Sequence, residues 1–158
     1  EARECYEALS DRVQAIGMAL KETVSEAVFD LERGDTASWL GFTIRGGENG
    51  LWYGINSKSW DRLRMKFREK RALAAKGLPV REQDLITIGE GRFREKSIAI
   101  RKEHIPKIAT RVRRIASEEG INLLAFTDEK AEKAWHKGRL AWDRIRLMAD
   151  VLDQPFSG

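Results

Sequence analysis

The sequence predicts an α+β fold, in which helices pack on a mainly antiparallel sheet made of two hairpins and a short strand. Aromatic and β-branched runs separated by glycine-rich turns predict the hairpins, and apolar residues at spacings of three and four predict the helices. The expected order is αββαββαβα, with a long N-terminal helix and a C-terminal helix. We expect a single domain over residues 1–158. We also expect it to be a fragment of a longer chain, because Glu1 stands inside a helical pattern.

The N-terminal elements are a long amphipathic helix and a hairpin. The helix is predicted over residues 2–33, where apolar residues share one face and Gly34 supplies a stop signal. At about 1.5 Å per residue it would span roughly 45 Å, which suits packing across a sheet or against a second subunit. The hairpin strands are predicted over residues 38–44 and 51–56.

The remaining elements alternate helices with extended segments. A basic helix is predicted over residues 59–76, followed by a second hairpin with strands 85–88 and 93–101 around Gly89-Glu90-Gly91. A third helix is expected from about His104 to Gly120, then a short strand over residues 121–126. Thr127 is expected to cap a final helix that reaches about Leu152.

Composition excludes several classes of protein and site. Hydrophobic residues make up 42% of the chain and charged residues 34%, which is typical of a folded domain. No apolar run approaches the roughly 20 residues that cross a bilayer, so no membrane association is expected. Cys5 is the lone cysteine, which favours a reducing, cytoplasmic setting. With two histidines and no recognisable catalytic spacing, we assign no cofactor, no metal and no catalytic residue.

The distribution of charge is the strongest functional signal. Residues 1–35 contain 4 basic and 9 acidic side chains, residues 40–114 contain 19 and 8, and residues 115–158 contain 6 and 8. A strongly cationic middle therefore lies between two acidic ends, and clustered cations attract phosphate backbones. The sequence predicts a nucleic-acid-binding surface on the basic helix and its neighbours. The predicted contact residues are Lys58, Arg62, Arg64, Lys66, Arg68, Lys70, Arg71, Arg92, Arg94, Arg111 and Arg114.

Two other functions stay open. In the first, the helix over residues 2–33 dimerises or docks a partner, and the chain is a protein-interaction module with no nucleic-acid role. In the second, the chain is a metal-dependent nuclease, with Asp128-Glu129-Lys130 or Glu95-Lys96 near the metal. The first turn of a helix favours Asp128 and Glu129 through its dipole, and alternating charge is normal on an exposed strand, so both acid sets also have a structural explanation. The aromatic residues Trp39, Trp52, Tyr53 and Trp60 would either stack on bases or fill the core.

The segments Ser38-Trp39-Leu40-Gly41-Phe42-Thr43-Ile44 and Leu51-Trp52-Tyr53-Gly54-Ile55-Asn56, following a long helix, carry a family resemblance. Residues 11–56 resemble the C-terminal half of some bacterial and phage proteins of the PD-(D/E)XK nuclease superfamily. The family's metal-binding acids and lysine would lie upstream of this region, so the resemblance transfers no catalytic residue. It implies a nucleic-acid-binding domain that is accessory to a nuclease or defence protein.

Overall fold

The computed structural model describes residues 2–20, 23–24, 28–48 and 50–152, with side chains described as far as Met148. Within these residues the α+β fold is confirmed, with five α-helices and a three-stranded antiparallel sheet in the order β1-β2-β3. The elements are α1 (Ala2–Ala15), β1 (Thr36–Trp39), β2 (Phe42–Gly47), β3 (Gly50–Ile55), α2 (Ser57–Ala75), α3 (Glu82–Glu95), α4 (Ile105–Glu118) and α5 (Asp128–Leu152). None of the described helices combines the length and the apolar character needed to cross a bilayer.

Two compact units share the chain. The N-terminal unit consists of Glu1–Trp39 and Thr43–Trp52, and the helical unit consists of Leu40–Phe42 and Tyr53–Gly158. The helical unit contains α2 to α5 and therefore holds all eleven predicted contact residues.

The prediction of one helix over residues 2–33 was wrong. Helix α1 ends at Ala15, and Gly17 adopts a left-handed conformation with φ of 77°. The Gly17 amide donates to Gln14 O and the Met18 amide donates to Val13 O, which is the glycine-dependent arrangement that closes a helix. Residues 18–20 and 28–30 are not helical either. The predicted positions 21, 22 and 25–27 lie outside the described residues.

The first hairpin was predicted in the right place but with one turn too few. The predicted strand 38–44 is two strands, β1 and β2, joined by a tight turn at Leu40 and Gly41. Both turn residues have positive φ, 46° for Leu40 and 82° for Gly41, as a two-residue hairpin turn of type I′ requires. The apolar character of Leu40 conceals this turn in the sequence, because leucine rarely adopts such a conformation.

The predicted second hairpin and the predicted strand 121–126 were wrong. Residues 85–88 lie in α3, and residues 93–101 continue that helix to Glu95 before a 3₁₀ turn at Ser97–Ala99. Ile86, Gly89 and Phe93 are buried at helical spacing, so burial along one face outweighs the poor helix propensity of the two glycines. Residues 121–126 form turns without strand pairing.

The core of the helical unit lies between α2, α3, α4 and α5. Trp60, Leu63 and Phe67 of α2 are buried, and Phe126 is fully buried against Phe93 with 5.9 Å between ring centroids. Further core residues from α4 and α5 are Ile105, Ala109, Val112, Ile115, Ala116, Ala131 and Ala134. The final helix is confirmed, and Thr127 Oγ1 accepts a hydrogen bond from the Lys130 amide at 3.3 Å.

Candidate nucleic-acid interface

The buried stripe of α2 fixes which of its cations face solvent. The helix starts at a true cap, because Asn56 Oδ1 accepts a hydrogen bond from the Ser59 amide at 2.9 Å. With the Trp60 and Phe67 side of the helix inward, a row of four cations one turn apart, the basic ridge, starts on the solvent side of α2 and approaches α3 at its end. Lys58, Arg62 and Lys66 are exposed, and Lys70 is half-buried. The ridge therefore lies at the surface of the helical unit.

A second group of α2 cations is held by carboxylates at the end of α4. Arg68 donates two hydrogen bonds of 3.0 Å to Glu119, one to each carboxylate oxygen. Arg64 lies 2.6 Å from Glu118 and 3.7 Å from Glu119. Glu118 also pairs with Arg114 at 3.7 Å. These contacts join two helices that are far apart in the sequence, so the arginines involved have a structural role of their own.

The Glu119 carboxylate responds to this environment. The hydrogen bonds from Arg68 lower the pKa of Glu119, and the charges of Arg68, Arg64 and Arg71 act in the same direction against the effect of burial. Arg71 also lies against Gly120, where an added Cβ would approach its guanidinium to 3.3 Å. The end of α4 is therefore tied to α2 by charge as well as by packing.

We expect acid to destabilise the protein partly through Glu119. A carboxyl whose pKa is lower in the folded state stabilises it fully above the ordinary pKa, near 4.5, and loses that contribution as the pH falls through the folded value. Urea unfolding measured from about pH 6 to about pH 3 should therefore show a weaker pH dependence for Glu119→Gln than for the parent. Glu103→Gln, which changes an exposed carboxylate, should keep the parental slope. An unchanged slope in Glu119→Gln would contradict this assignment.

Arg92 of α3 and Lys96, which caps the C-terminal end of that helix, lie beneath the surface. Each is only 6% exposed. Arg92 donates to the Ser59 hydroxyl and to the Ser59 carbonyl, and Lys96 donates to the Leu40 carbonyl. Burial lowers the pKa of both side chains, and the neighbouring positive charge of Arg62 lowers them further. Arg92, a predicted contact residue, therefore supports the surface from below.

The aromatic ring of the basic helix is covered by arginine. Trp60 is 5% exposed, and the Arg111 guanidinium lies 4.0 Å from its ring centroid, with Arg92 at 5.4 Å. Cation–π contact thus places the Arg111 charge above the start of α2. Trp60 belongs to the core and is not available for stacking on a base. Trp39 and Trp52 are more exposed, at 58% and 37%, and belong to the N-terminal unit.

An open groove separates the basic ridge of α2 from α3. Its volume is about 520 Å³, and its walls carry Lys66 and Lys70 from α2 and Arg94 and Glu95 from α3. Lys66 Nζ lies 4.0 Å from Glu95, and Arg94 lies 3.5 Å from Glu90. Three of the predicted contact residues are therefore brought together around one concave surface.

The acids proposed for a nuclease are engaged in local contacts. Asp128 accepts a hydrogen bond of 2.9 Å from Arg113, and Lys130 Nζ donates to the Ala125 carbonyl at 2.9 Å. In the part of the chain that the structure describes, no group of three His, Cys, Asp or Glu side chains could hold a metal ion. Asp128 and Lys130 thus anchor the start of α5.

Sequence reasoning missed Glu118 and Glu119, which pair with three of the eleven predicted contact residues, Arg64, Arg68 and Arg114. Their partners on α2 lie more than 50 residues earlier in the chain, at a separation of 51 for Arg68 and Glu119. No local spacing rule predicts such a contact. In the sequence, this segment signalled only a helix end, through Gly120.

Comparisons with protein-family models, with curated proteins and with solved structures give no match for this chain. The resemblance of residues 11–56 to the PD-(D/E)XK superfamily therefore stays a prediction.

Proposed function

We propose that the helical unit binds nucleic acid through the basic ridge of α2 and the cations beside it. The observation that carries the proposal is the row of Arg62, Lys66 and Lys70, one helical turn apart, with the first two exposed and Lys70 half-buried beside α3. Successive members of this row are about 6 Å apart along the helix axis. Arg94 of α3 lines a groove with Lys66 and Lys70, and Arg111 lies over the Trp60 ring at the start of α2. Such an array favours a regularly charged polyanion over a small anion.

Binding of this kind is expected to depend on phosphates and not on base sequence. Lysine and arginine contacts to phosphate release counterions, which gives affinity that falls steeply with salt. The ring of Trp60 is covered by Arg111 and cannot stack on a base, so the contacts of α2 with a ligand would be made by its cations. Such a domain would be accessory to a nuclease or defence protein.

The proposed setting is the cytoplasm. The exposed lone thiol of Cys5 fits a reducing compartment of this kind.

Replacing Arg62, Lys66 and Lys70 together with glutamine tests the proposal. Each phosphate contact removed should lower the slope of log affinity against log salt by about 0.7 to 0.9. We expect weaker binding of labelled DNA and RNA oligonucleotides at low salt, a flatter salt dependence, and an unchanged melting temperature. Fluorescence anisotropy over a salt series measures the first two quantities.

The triple variant Lys137→Gln, Arg144→Gln, Arg146→Gln is the matched control. It removes the same net charge from exposed positions of α5. At about 0.15 M salt the control should bind nearly as well as the parent, because charges more than about 8 Å from the ligand are then largely screened. Equal losses in the two triple variants would mean that the ridge has no special role. Absence of oligonucleotide binding by the parent would overturn the proposed function.

A protein-interaction module is the second candidate, and α5 carries the observation that favours it. Toward its C-terminal end, Leu140, Ile145, Leu147 and Met148 are between 57% and 67% exposed. Exposed apolar side chains grouped on one helix are typical of a surface that a partner covers. If the parent binds no oligonucleotide, sedimentation at increasing concentration would show whether the chain associates with itself.

A further inference from the structure

The cations on α2 and on the neighbouring face of α3 form two groups, which differ in the distance to their carboxylate partners. On the α4 side, Arg64 and Arg68 contact carboxylates at 2.6 and 3.0 Å. On the α3 side, the pairs Lys66–Glu95 and Arg94–Glu90 are longer, at 4.0 and 3.5 Å. A loose ion pair at the surface adds little to stability, so it gives way readily to a stronger anion.

The loosely held cations meet in the groove between α2 and α3. Lys66, Lys70 and Arg94 line it, and Glu95 lies on the same wall as Arg94. Gly91 leaves the floor open, because a Cβ at this position would meet only the Glu95 carboxylate, at 4.0 Å. The groove thus has room and positive charge at the same place. Two carboxylates contact its cations, Glu95 on its wall and Glu90 one turn before Arg94.

We infer that this groove receives a phosphate of the bound nucleic acid between Lys66, Lys70 and Arg94, and that Glu90 and Glu95 compete with that phosphate for the same cations. This inference rests on the proposed function and adds a location and an internal competitor to it. A phosphodiester suits the site, because arginine pairs with phosphate through two parallel hydrogen bonds while lysine acts as a point charge. On binding, Arg94 exchanges Glu90 for the phosphate and Lys66 exchanges Glu95.

If the carboxylates compete with the phosphate, removing one of them should increase the affinity for nucleic acid. Glu90→Gln frees Arg94 without removing any cation, so it should tighten binding of a short labelled DNA duplex by about 1.5- to 5-fold, the range that a weak ion pair represents. Glu95→Gln should act in the same direction through Lys66. This variant has a second effect, because the Glu95 charge also partly offsets the lowering of the Arg92 and Lys96 pKa values by burial. Melting temperatures measured beside the affinities will show whether either variant has lost its fold.

Glu103→Gln is the control, since it removes one exposed negative charge outside the groove. The inference is supported if Glu90→Gln tightens binding more than Glu103→Gln does, and if Lys70→Gln with Arg94→Gln weakens it. It is overturned if the glutamine variants at positions 90 and 103 bind equally, or if the double variant binds like the parent. Either result leaves the proposed function intact as long as the parent binds the duplex. If the parent binds no oligonucleotide, both the proposed function and this inference are wrong.

Discussion

Replacing Gly138 with alanine is expected to lower the free energy of unfolding by about 2–3 kcal/mol. Gly138 is buried on α5, where that helix crosses α3. A Cβ at position 138 would overlap the Arg94 carbonyl oxygen and would lie 2.8 Å from both Arg94 Cα and Ser97 Oγ. Two of these neighbours are backbone atoms of a packed helix, so the helices must separate to admit the methyl group. Urea unfolding followed by circular dichroism measures the loss.

Gly91→Ala is the matched control for this prediction. It makes the same chemical change inside α3, at a position where the added Cβ meets only a flexible carboxylate at 4.0 Å. Since alanine favours a helix over glycine by about 1 kcal/mol, this variant should be as stable as the parent or more so. A Gly138→Ala variant that is also stabilised would show that the two helices do not depend on close contact at this crossing.

Replacing Phe126 with alanine should cost about 3–5 kcal/mol of stability. Its ring is fully buried, packs against Phe93, and lies 3.2 Å from where a Cβ at Gly89 would be. Truncation removes the apolar contacts and leaves a cavity that the surrounding helices cannot fully close. The midpoint of thermal or urea unfolding reports the loss.

Leu124→Ala tests whether that loss comes from burial. Leu124 stands two residues earlier in the same segment and is 76% exposed. A surface truncation of this kind usually changes stability by less than about 0.5 kcal/mol. Comparable losses at positions 124 and 126 would contradict the packing described for this segment.

The fold was predictable where local pattern and burial agree. The stripe of Trp60, Leu63 and Phe67 identified α2 and its orientation, and the aromatic strands identified the sheet. Helix α3 was mistaken for a hairpin, because Gly89 and Gly91 are poor helix formers and alternate apolar residues precede them. Only contact with Phe126 and α5 decides that conformation, and a single sequence does not display such contacts. Gly17 is a helix stop signal in the sequence, but the apolar spacing continues on both sides of it, so the predicted helix ran through it.

The candidate site was predictable in the same partial way. Spacing on α2 placed Arg62, Lys66 and Lys70 on one ridge, and the structure leaves that ridge on the surface. Spacing could not distinguish these cations from Arg68, whose carboxylate partner lies on a distant helix, or from Arg92, which is buried. Whether the ridge binds nucleic acid stays a prediction.

The two glycines of α3 also bear on the order in which the helical unit folds. A helix of 14 residues that contains both Gly89 and Gly91 has little tendency to form alone in water. Its conformation depends on docking against α5, about 40 residues later in the chain. We expect α3 to consolidate late, when α5 docks against it, and not as an early local structure. A truncation before α5 would therefore remove α3 as well, and with it one wall of the cationic groove.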